Sequence, residues 1–303
     1  VSSGSAEKTY LQFRPIQKWN DYMKFVFFGY DFMLPSVIRL IEGGHELIGI
    51  MSFECDNVFN FNQSCQELAK AHKIPFILSH ATDEHIEQFL SKGCEAFLSA
   101  GYPHKIPHID ENKAYAINIH PTHLPQARGM MPIPRIIMDN IHSAAGFTAH
   151  KMTQNFDGGD ILRQIKFPLN KHETVETYTA KIAMRAPDMV ADLFEFLPSY
   201  WKSASAQNPK KASHFKAPTD QDRVIDWSKP VKDIDATARA FGRFGSVALF
   251  DNRVWIVYSH AVWEEKHNHQ PGLIVAGLSR EIVIAAADGY VCLKEFQEAP
   301  QST

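Results

Sequence analysis

The feature that most narrows what this chain can fold into is an alternation of strand and helix that begins at Met23. Lys24-Phe25-Val26-Phe27-Phe28-Gly29 is a continuous apolar run closed by glycine, the pattern of a strand buried on both faces. Leu34 to Glu42 then reads as a helix, with Pro35 in its first turn and Gly43-Gly44 stopping it, and Glu46 to Met51 reads as a second strand. Strand, helix and strand joined by short connections make a βαβ unit, and such units build a parallel sheet. The rhythm continues. Helices are expected over Gln63 to His72, Asp83 to Lys92 and Pro132 to Asn140. Strands are expected over Pro75 to Ser79, Glu95 to Ala100, Tyr115 to His120 and Gly146 to Met152. The fold class this predicts is α/β, a Rossmann-like open sheet with flanking helices.

The later part of the chain has a different pattern. Thr174 to Tyr200 is helical throughout, with Pro187 expected to bend or divide it. Residues 202–219 (KSASAQNPKKASHFKAPT) are polar, small and proline-bearing, the composition of a linker. One helix follows, Val231 to Phe241. Five short strands come next: Val247 to Phe250, Val254 to Tyr258, Leu273 to Ala276, Glu281 to Ala285 and Tyr290 to Glu295. That predicts a small, mostly-β, OB-like domain. Trp255, Tyr258 and Trp263 are expected in its core, and His267 and His269 in a solvated hairpin loop. The division is thus a catalytic-type domain at 23–201, a linker at 202–219 and a C-terminal domain at 220–303. Residues 1–22 read either as a docking arm or as sequence ahead of a natural start at Met23.

Several function classes fall away. A net charge of −3 and a pI near 6.6 argue against coating nucleic acid or anionic membrane by charge. No apolar run approaches the ~20 residues of a membrane helix, and residues 1–22 hold no signal-peptide core. The four cysteines, Cys55, Cys65, Cys94 and Cys292, form no CxxC pair, which suits a reduced, cytoplasmic setting better than a disulfide framework. A dinucleotide site would need three spaced glycines after the first strand. Here Gly29 stands alone before bulky Tyr30, Phe32 and Met33.

Chemistry concentrates in two stretches. If Tyr115 to His120 is a strand, Asn118 and His120 share one face while Ile117 and Ile119 take the other, and Pro121 ends the ladder. The carboxyl end of a parallel strand is where open α/β sheets place their sites. Some thirty residues later, Gly146-Phe147-Thr148-Ala149-His150 leads into Asn155-Phe156-Asp157-Gly158-Gly159-Asp160, a tight turn flanked by carboxylates. By themselves these residues leave open a satisfied polar pair and an ordinary Asp-Gly turn. A histidine metal site from His120, His123, His142 and His150 is disfavoured, because no helix presents the pair around Pro121 and no cysteine assists.

The stretch NIHPTHLPQARGMMPIPRIIMDN…GFTAHKMTQNFDGGDIL resembles the folate-dependent formyltransferase family, whose pattern combines N-x-H with a following L-P and R-G, then G-V-T-x-H, then D-x-G. The opening KFVFFGYDFMLPSVIRLIEGGHELIGIM and the segment RVIDWSKPVKDIDATARAF resemble the family's first βαβ unit and the start of its C-terminal domain. The resemblance implies a catalytic trio of Asn118, His120 and Asp157 and no metal. It implies 10-formyltetrahydrofolate as co-substrate, held by loop Ala100, Gly101, Tyr102, Pro103, His104, Lys105 and Ile106 and by Gln154, Asn155 and Phe156. Asn118 would donate to the oxyanion, His120 would stabilise it or move a proton, and Asp157 would raise the basicity of His120. The family's S-L-L-P reads Thr122-His123-Leu124-Pro125 here, and His123 receives no role.

The acceptor is expected to be a small amine, such as an amino-sugar nucleotide or an amino acid derivative. A tRNA acceptor implies a basic C-terminal domain. From Pro209 onward lysines and arginines number twelve, and so do aspartates and glutamates. The segment 53–59, where the tRNA enzyme carries a basic insertion, is short and acidic-aromatic. Transfer to tRNA and hydrolysis of 10-formyltetrahydrofolate remain the alternatives, and a homodimer is left open.

Overall fold

A computed structural model describes residues 22–58, 60–277 and 280–299. The arm expected at 1–22 lies, apart from Tyr22, outside the described residues. Seven strands make the larger sheet: β1 (Lys24–Gly29), β2 (Glu46–Ser52), β3 (Phe76–Leu78), β4 (Ala96–Ala100), β5 (Tyr115–His120), β6 (Gly146–Lys151) and β7 (Ile161–Lys166), in the order β3-β2-β1-β4-β5-β6-β7. The first five are parallel, as the βαβ pattern requires. β6 is reversed and pairs antiparallel with both β5 and β7, and β7 is a strand the sequence pattern did not single out.

Helices α1 (Leu34–Glu42), α2 (Gln63–His72) and α3 (Asp83–Ser91) fall on the expected segments. α3 opens on a capping box, with the Thr82 hydroxyl accepting from the His85 N–H. Alternate residues of β1 feed two cores. Phe25 and Phe27 pack with Val37 and Leu40 of α1 on one face, and Val26 and Phe28 pack with Ile86 and Phe89 of α3 on the other. Because β1 lies between β2 and β4, the chain leaves it on one side and returns on the other. A crevice therefore opens at the carboxyl ends of β1 and β4.

Short α4 (Ile133–Met138) and long α5 (Val175–Glu195) cover the face shared with α1. α5 is not divided at Pro187, although division is one of the two outcomes expected there. The neighbouring Ala186, Met189 and Val190 are buried in the core, and that packing outweighs the backbone hydrogen bond a proline cannot make. The break falls instead at Phe196, before α6 (Leu197–Lys202). Tyr178 of α5 is fully buried, worth roughly 1.5–3 kcal/mol of apolar burial. Its hydroxyl accepts from the Gly146 N–H at 3.1 Å and lies 3.1 Å from the carbonyl oxygens of both Pro121 and Gly146. The helix thereby ties the end of β5 to the start of β6.

The C-terminal domain is a single antiparallel sheet of β8 (Ser246–Phe250), β9 (Arg253–Glu264), β10 (Ile274–Gly277), β11 (Ile282–Ala285) and β12 (Gly289–Glu298), ordered β10-β11-β12-β9-β8, with α7 (Val231–Phe241) packed on it. Two expectations change here. Tyr258 and Trp263 are each 40% exposed, so only Trp255, stacked on Phe250, joins the packing. His267 is half-buried rather than fully solvated, its Nε2 donating to the Gly289 carbonyl at 3.0 Å and its ring lying against Tyr290, while His269 is exposed.

Candidate active site

β5 carries Asn118 and His120 to the crevice, and the antiparallel pairing of β6 sets His150 directly across from Asn118 and Thr148 across from His120. Thr148 is buried and its hydroxyl donates to the Thr122 carbonyl at 2.7 Å, fixing the chain just beyond the strand. The loop that follows β6 brings Asp157 back to the same place. Asp157 sits at φ +52°, a left-handed conformation uncommon for any residue but glycine. Gly159 lets this turn lie against β6, because a Cβ there would collide with the Lys151 carbonyl.

The trio implied by resemblance is therefore gathered in space. His120 Nδ1 lies 3.3 Å from Asp157 Oδ1, and Asn118 Nδ2 donates to the same oxygen over a long 3.5 Å. The other carboxylate oxygen accepts from the Gly129 N–H at 2.8 Å. Gly129 has φ +103°, and a Cβ on it would strike the Phe215 carbonyl, so glycine at this point is a geometric requirement. His120 Nε2 is 2.9 Å from the Ala127 carbonyl oxygen. A carbonyl only accepts, so Nε2 carries the ring hydrogen and Nδ1 presents a lone pair towards Asp157.

His150 is the residue the sequence reading assigned no catalytic part. Its Nδ1 donates to the Lys151 carbonyl at 2.8 Å, which leaves Nε2 to accept from Asn118 Nδ2 at 3.1 Å. One amide hydrogen of Asn118 is thus fixed, and the second faces a weak contact that a better acceptor can replace. The signal was present in the sequence, because His150 closes the G-F-T-A-H block, but only the strand register shows what it touches.

Burial pushes the Asp157 carboxyl up, yet the His150 and His120 rings in their protonated forms, together with the Gly129 N–H, outweigh it and hold the group low. Burial holds the His120 imidazole below its ordinary value, against the upward pull of Asp157 and the Ala127 carbonyl. Asp157 does pull the basicity of His120 upward, as expected. Loss of water around a ring only 4% exposed is the larger effect.

These groups sit on the wall of a cavity of about 1430 Å³. All ten residues expected to hold folate line it, namely residues 100–106 after β4 and 154–156 before Asp157. The first of these loops is pinned by Tyr102, whose hydroxyl donates to the Ser79 carbonyl at 2.6 Å and accepts from the Ala81 N–H at 3.1 Å. His104 stacks on His80 with ring centres 3.7 Å apart. Tyr30 and Phe53 continue this aromatic wall. His123 stands outside the cavity.

The segment expected to be a linker forms part of the site. Ser205 pairs with Ile161 at the start of β7, and residues 213–215 run alongside Arg128, so that 214–219 line the cavity's far side.

A model of the formyl transferase family matches residues 65–192, and a model of the C-terminal domain of the same family matches residues 218–303. Methionyl-tRNA formyltransferase of Treponema denticola is 31% identical over 190 residues, which are 60% of this chain and 58% of that protein. The crystal structure of HypX from Aquifex aeolicus in complex with tetrahydrofolic acid superposes with a TM-score of 0.64 at 17% identity, over 93% of this chain and 45% of HypX. An N-formyltransferase from Helicobacter canadensis, in complex with folinic acid and dTDP-3-aminofucose, gives a TM-score of 0.66 at 15% identity, over 92% of this chain and 100% of that one. This chain thus spans less than two thirds of the Treponema protein and about half of HypX, and at these identities the two structures speak to the fold alone. The two family models together cover well over half of the chain and fall in order on its two domains, so the chain belongs to the formyl transferase family.

Proposed function

We propose that this chain moves a formyl group from 10-formyltetrahydrofolate onto the amino group of a small acceptor. The observation that carries the proposal is the convergence of the Asn118 amide, the His120 imidazole and the Asp157 carboxylate within 3.5 Å on a cavity wall shared with both expected folate loops. Loop 100–106 and residues 154–156 would hold the folate, whose flat, polar-edged pterin suits backbone groups flanked by apolar walls.

The amine nitrogen attacks the formyl carbon and its new bond converts the carbonyl oxygen to an oxyanion. Asn118, held by His150, turns its second amide hydrogen from the long Asp157 contact to that oxygen. The His120 Nδ1 lone pair takes the proton released by the amine and shares it with ionised Asp157 3.3 Å away. The bond from carbon to the folate nitrogen then breaks, and the proton passes to that nitrogen, leaving the N-formylated acceptor and tetrahydrofolate. No covalent intermediate with the protein is needed.

An amino-sugar nucleotide or an amino acid derivative is the acceptor class favoured. The equal numbers of basic and acidic residues beyond Pro209 give little purchase on tRNA phosphates. The name of the Treponema relative supports the second reading, transfer to methionyl-tRNA. The test is tetrahydrofolate release from 10-formyltetrahydrofolate, followed by absorbance, with a panel of amino-sugar nucleotides, amino acid derivatives, charged initiator tRNA, and no amine. Release with a small amine is expected. Release only with the tRNA overturns the acceptor class, and equal release without any amine assigns the chain to hydrolysis.

A further inference from the structure

The part of the site closest to Asp157 that does not touch the cavity comes from the segment between the domains. Gln207 uses its whole side-chain amide. Its Nε2 donates to the carbonyl oxygens of Asp157 at 2.8 Å and Gly159 at 2.7 Å, on either side of the turn. Its Oε1 accepts from Arg128 Nη2 at 2.7 Å and Nε at 3.1 Å. Arg128 adjoins Gly129, whose N–H holds the Asp157 carboxylate, and Ala127, whose carbonyl holds His120. Ser213 continues the same clasp. Its hydroxyl accepts from the Ala127 N–H at 2.8 Å and its carbonyl from the Arg128 N–H at 2.9 Å.

The strap at 205–215 therefore grips the two loops that carry the partners of the His120–Asp157 pair. The grip also fixes a turn whose Asp157 backbone sits at φ +52°, in the sparsely populated left-handed region. Gln207 and Arg128 do not line the cavity, so neither reaches a substrate.

We infer that Gln207 is a positioning residue, which sets the register of the Asp157 carboxylate against His120 and so makes the inter-domain segment part of the catalytic apparatus. The inference rests on the proposed chemistry for the importance of that pair, but its geometry can be tested without an acceptor. The charged and titratable groups that bear on His120 are Asp157, His150 and Arg128. Asp157 pulls the imidazole upward, so a carboxylate that drifts away lets the His120 midpoint fall.

The experiment is histidine-labelled NMR titration of the full chain, comparing wild type with Gln207→Met, Gln207→Leu and Asp157→Asn, alongside folinic acid binding by calorimetry. Asp157→Asn should lower the His120 midpoint by about 1 pH unit or more, the usual effect of losing an opposite charge at this distance. Gln207→Met, which fills the space without hydrogen bonds, should lower it part of the way with folinic acid affinity unchanged. Gln207→Leu likewise removes the hydrogen bonds to Asp157, Gly159 and Arg128 and adds no charge. It should shift His120 in the same direction, and it serves if the methionine variant does not fold. Once an acceptor is found, both variants should lose turnover about tenfold to a hundredfold with KM for 10-formyltetrahydrofolate unchanged. A His120 midpoint that moves in Asp157→Asn but in neither Gln207 variant overturns the inference. A midpoint unmoved by Asp157→Asn overturns the pairing itself, and with it the proposed proton path.

Discussion

The two sheets of this chain treat polar side chains in opposite ways. On the larger sheet Ser99, His120, Thr148 and His150 are buried on adjoining strands, next to the cavity. On the smaller sheet Ser246 is the one buried polar side chain among the described residues, while Tyr258 and Trp263 face outward. Burying polar groups is costly unless each finds a partner. The larger sheet carries that cost where Asn118, His120 and His150 satisfy one another around Asp157, and the smaller sheet is built for packing alone. The contrast teaches that buried polar chemistry is concentrated beside the larger sheet, while apolar packing supports both sheets.

The strongest way to break that contrast is substitution in both halves. Asn118→Ala, His120→Ala and Asp157→Asn should each lower turnover at least about a hundredfold with a cooperative thermal transition retained. Trp263→Ala, on the exposed face of β9, should stay within about twofold in the same assay. A comparable loss in the tryptophan variant would erase the distinction. A subtler probe is His150→Leu, which removes the acceptor that orients Asn118. One hydrogen bond is worth roughly 1–1.5 kcal/mol, so kcat should fall about tenfold with KM for the folate little changed.

Acid should separate the halves along another axis. His45, beside Phe194 in the catalytic domain, accepts from the Met23 N–H at 3.0 Å, and burial pushes its pKa down from 6.5 to about 4. The unfolded chain takes up that proton first, so the catalytic domain loses stability as pH falls from 6.5 towards 4. Asp235 on α7 is also held low, where burial is outweighed by His260 and Arg239. Its contribution is intact through that window and is lost only further into acid. Thermal scans across pH should show His45→Asn flattening the first decline and leaving the second. The smallest effect on turnover belongs to Asp235→Asn. Its carboxylate accepts from His260 Nε2 at 2.9 Å and Arg239 Nε at 2.7 Å, and weakening these contacts should cost about 1–3 kcal/mol of stability while turnover stays within about twofold.

What could be read from the sequence follows the same division. β5 and the helices α1, α2 and α7 are legible because hydrophobic period and glycine or proline punctuation are local signals. Asn118, His120 and Asp157 are legible through three spaced motifs. His150 is not, because its contact with Asn118 exists only once β6 reverses direction against β5. Nor is the strap, since KSASAQNPKK has a spacer's composition whether or not Gln207 finds two carbonyls and a guanidinium to hold. Whether Pro187 divides its helix is not legible for a related reason, because its penalty is local and the packing that overrides it is not.

The reversal between β5 and β6 has a consequence for substitution. Cross-strand neighbours are fixed by the ladder and not by the length of chain between them, so changes of side chain at Met130 and Met131, which border the cavity, leave the pairing of His150 with Asn118 in place. A slip of one residue along the ladder is another matter. It would turn the imidazole of His150 to the opposite side of the sheet and leave Asn118 without a guide. The strand register thus guides Asn118, while the loops around Gly129 and Gly159 guide Asp157.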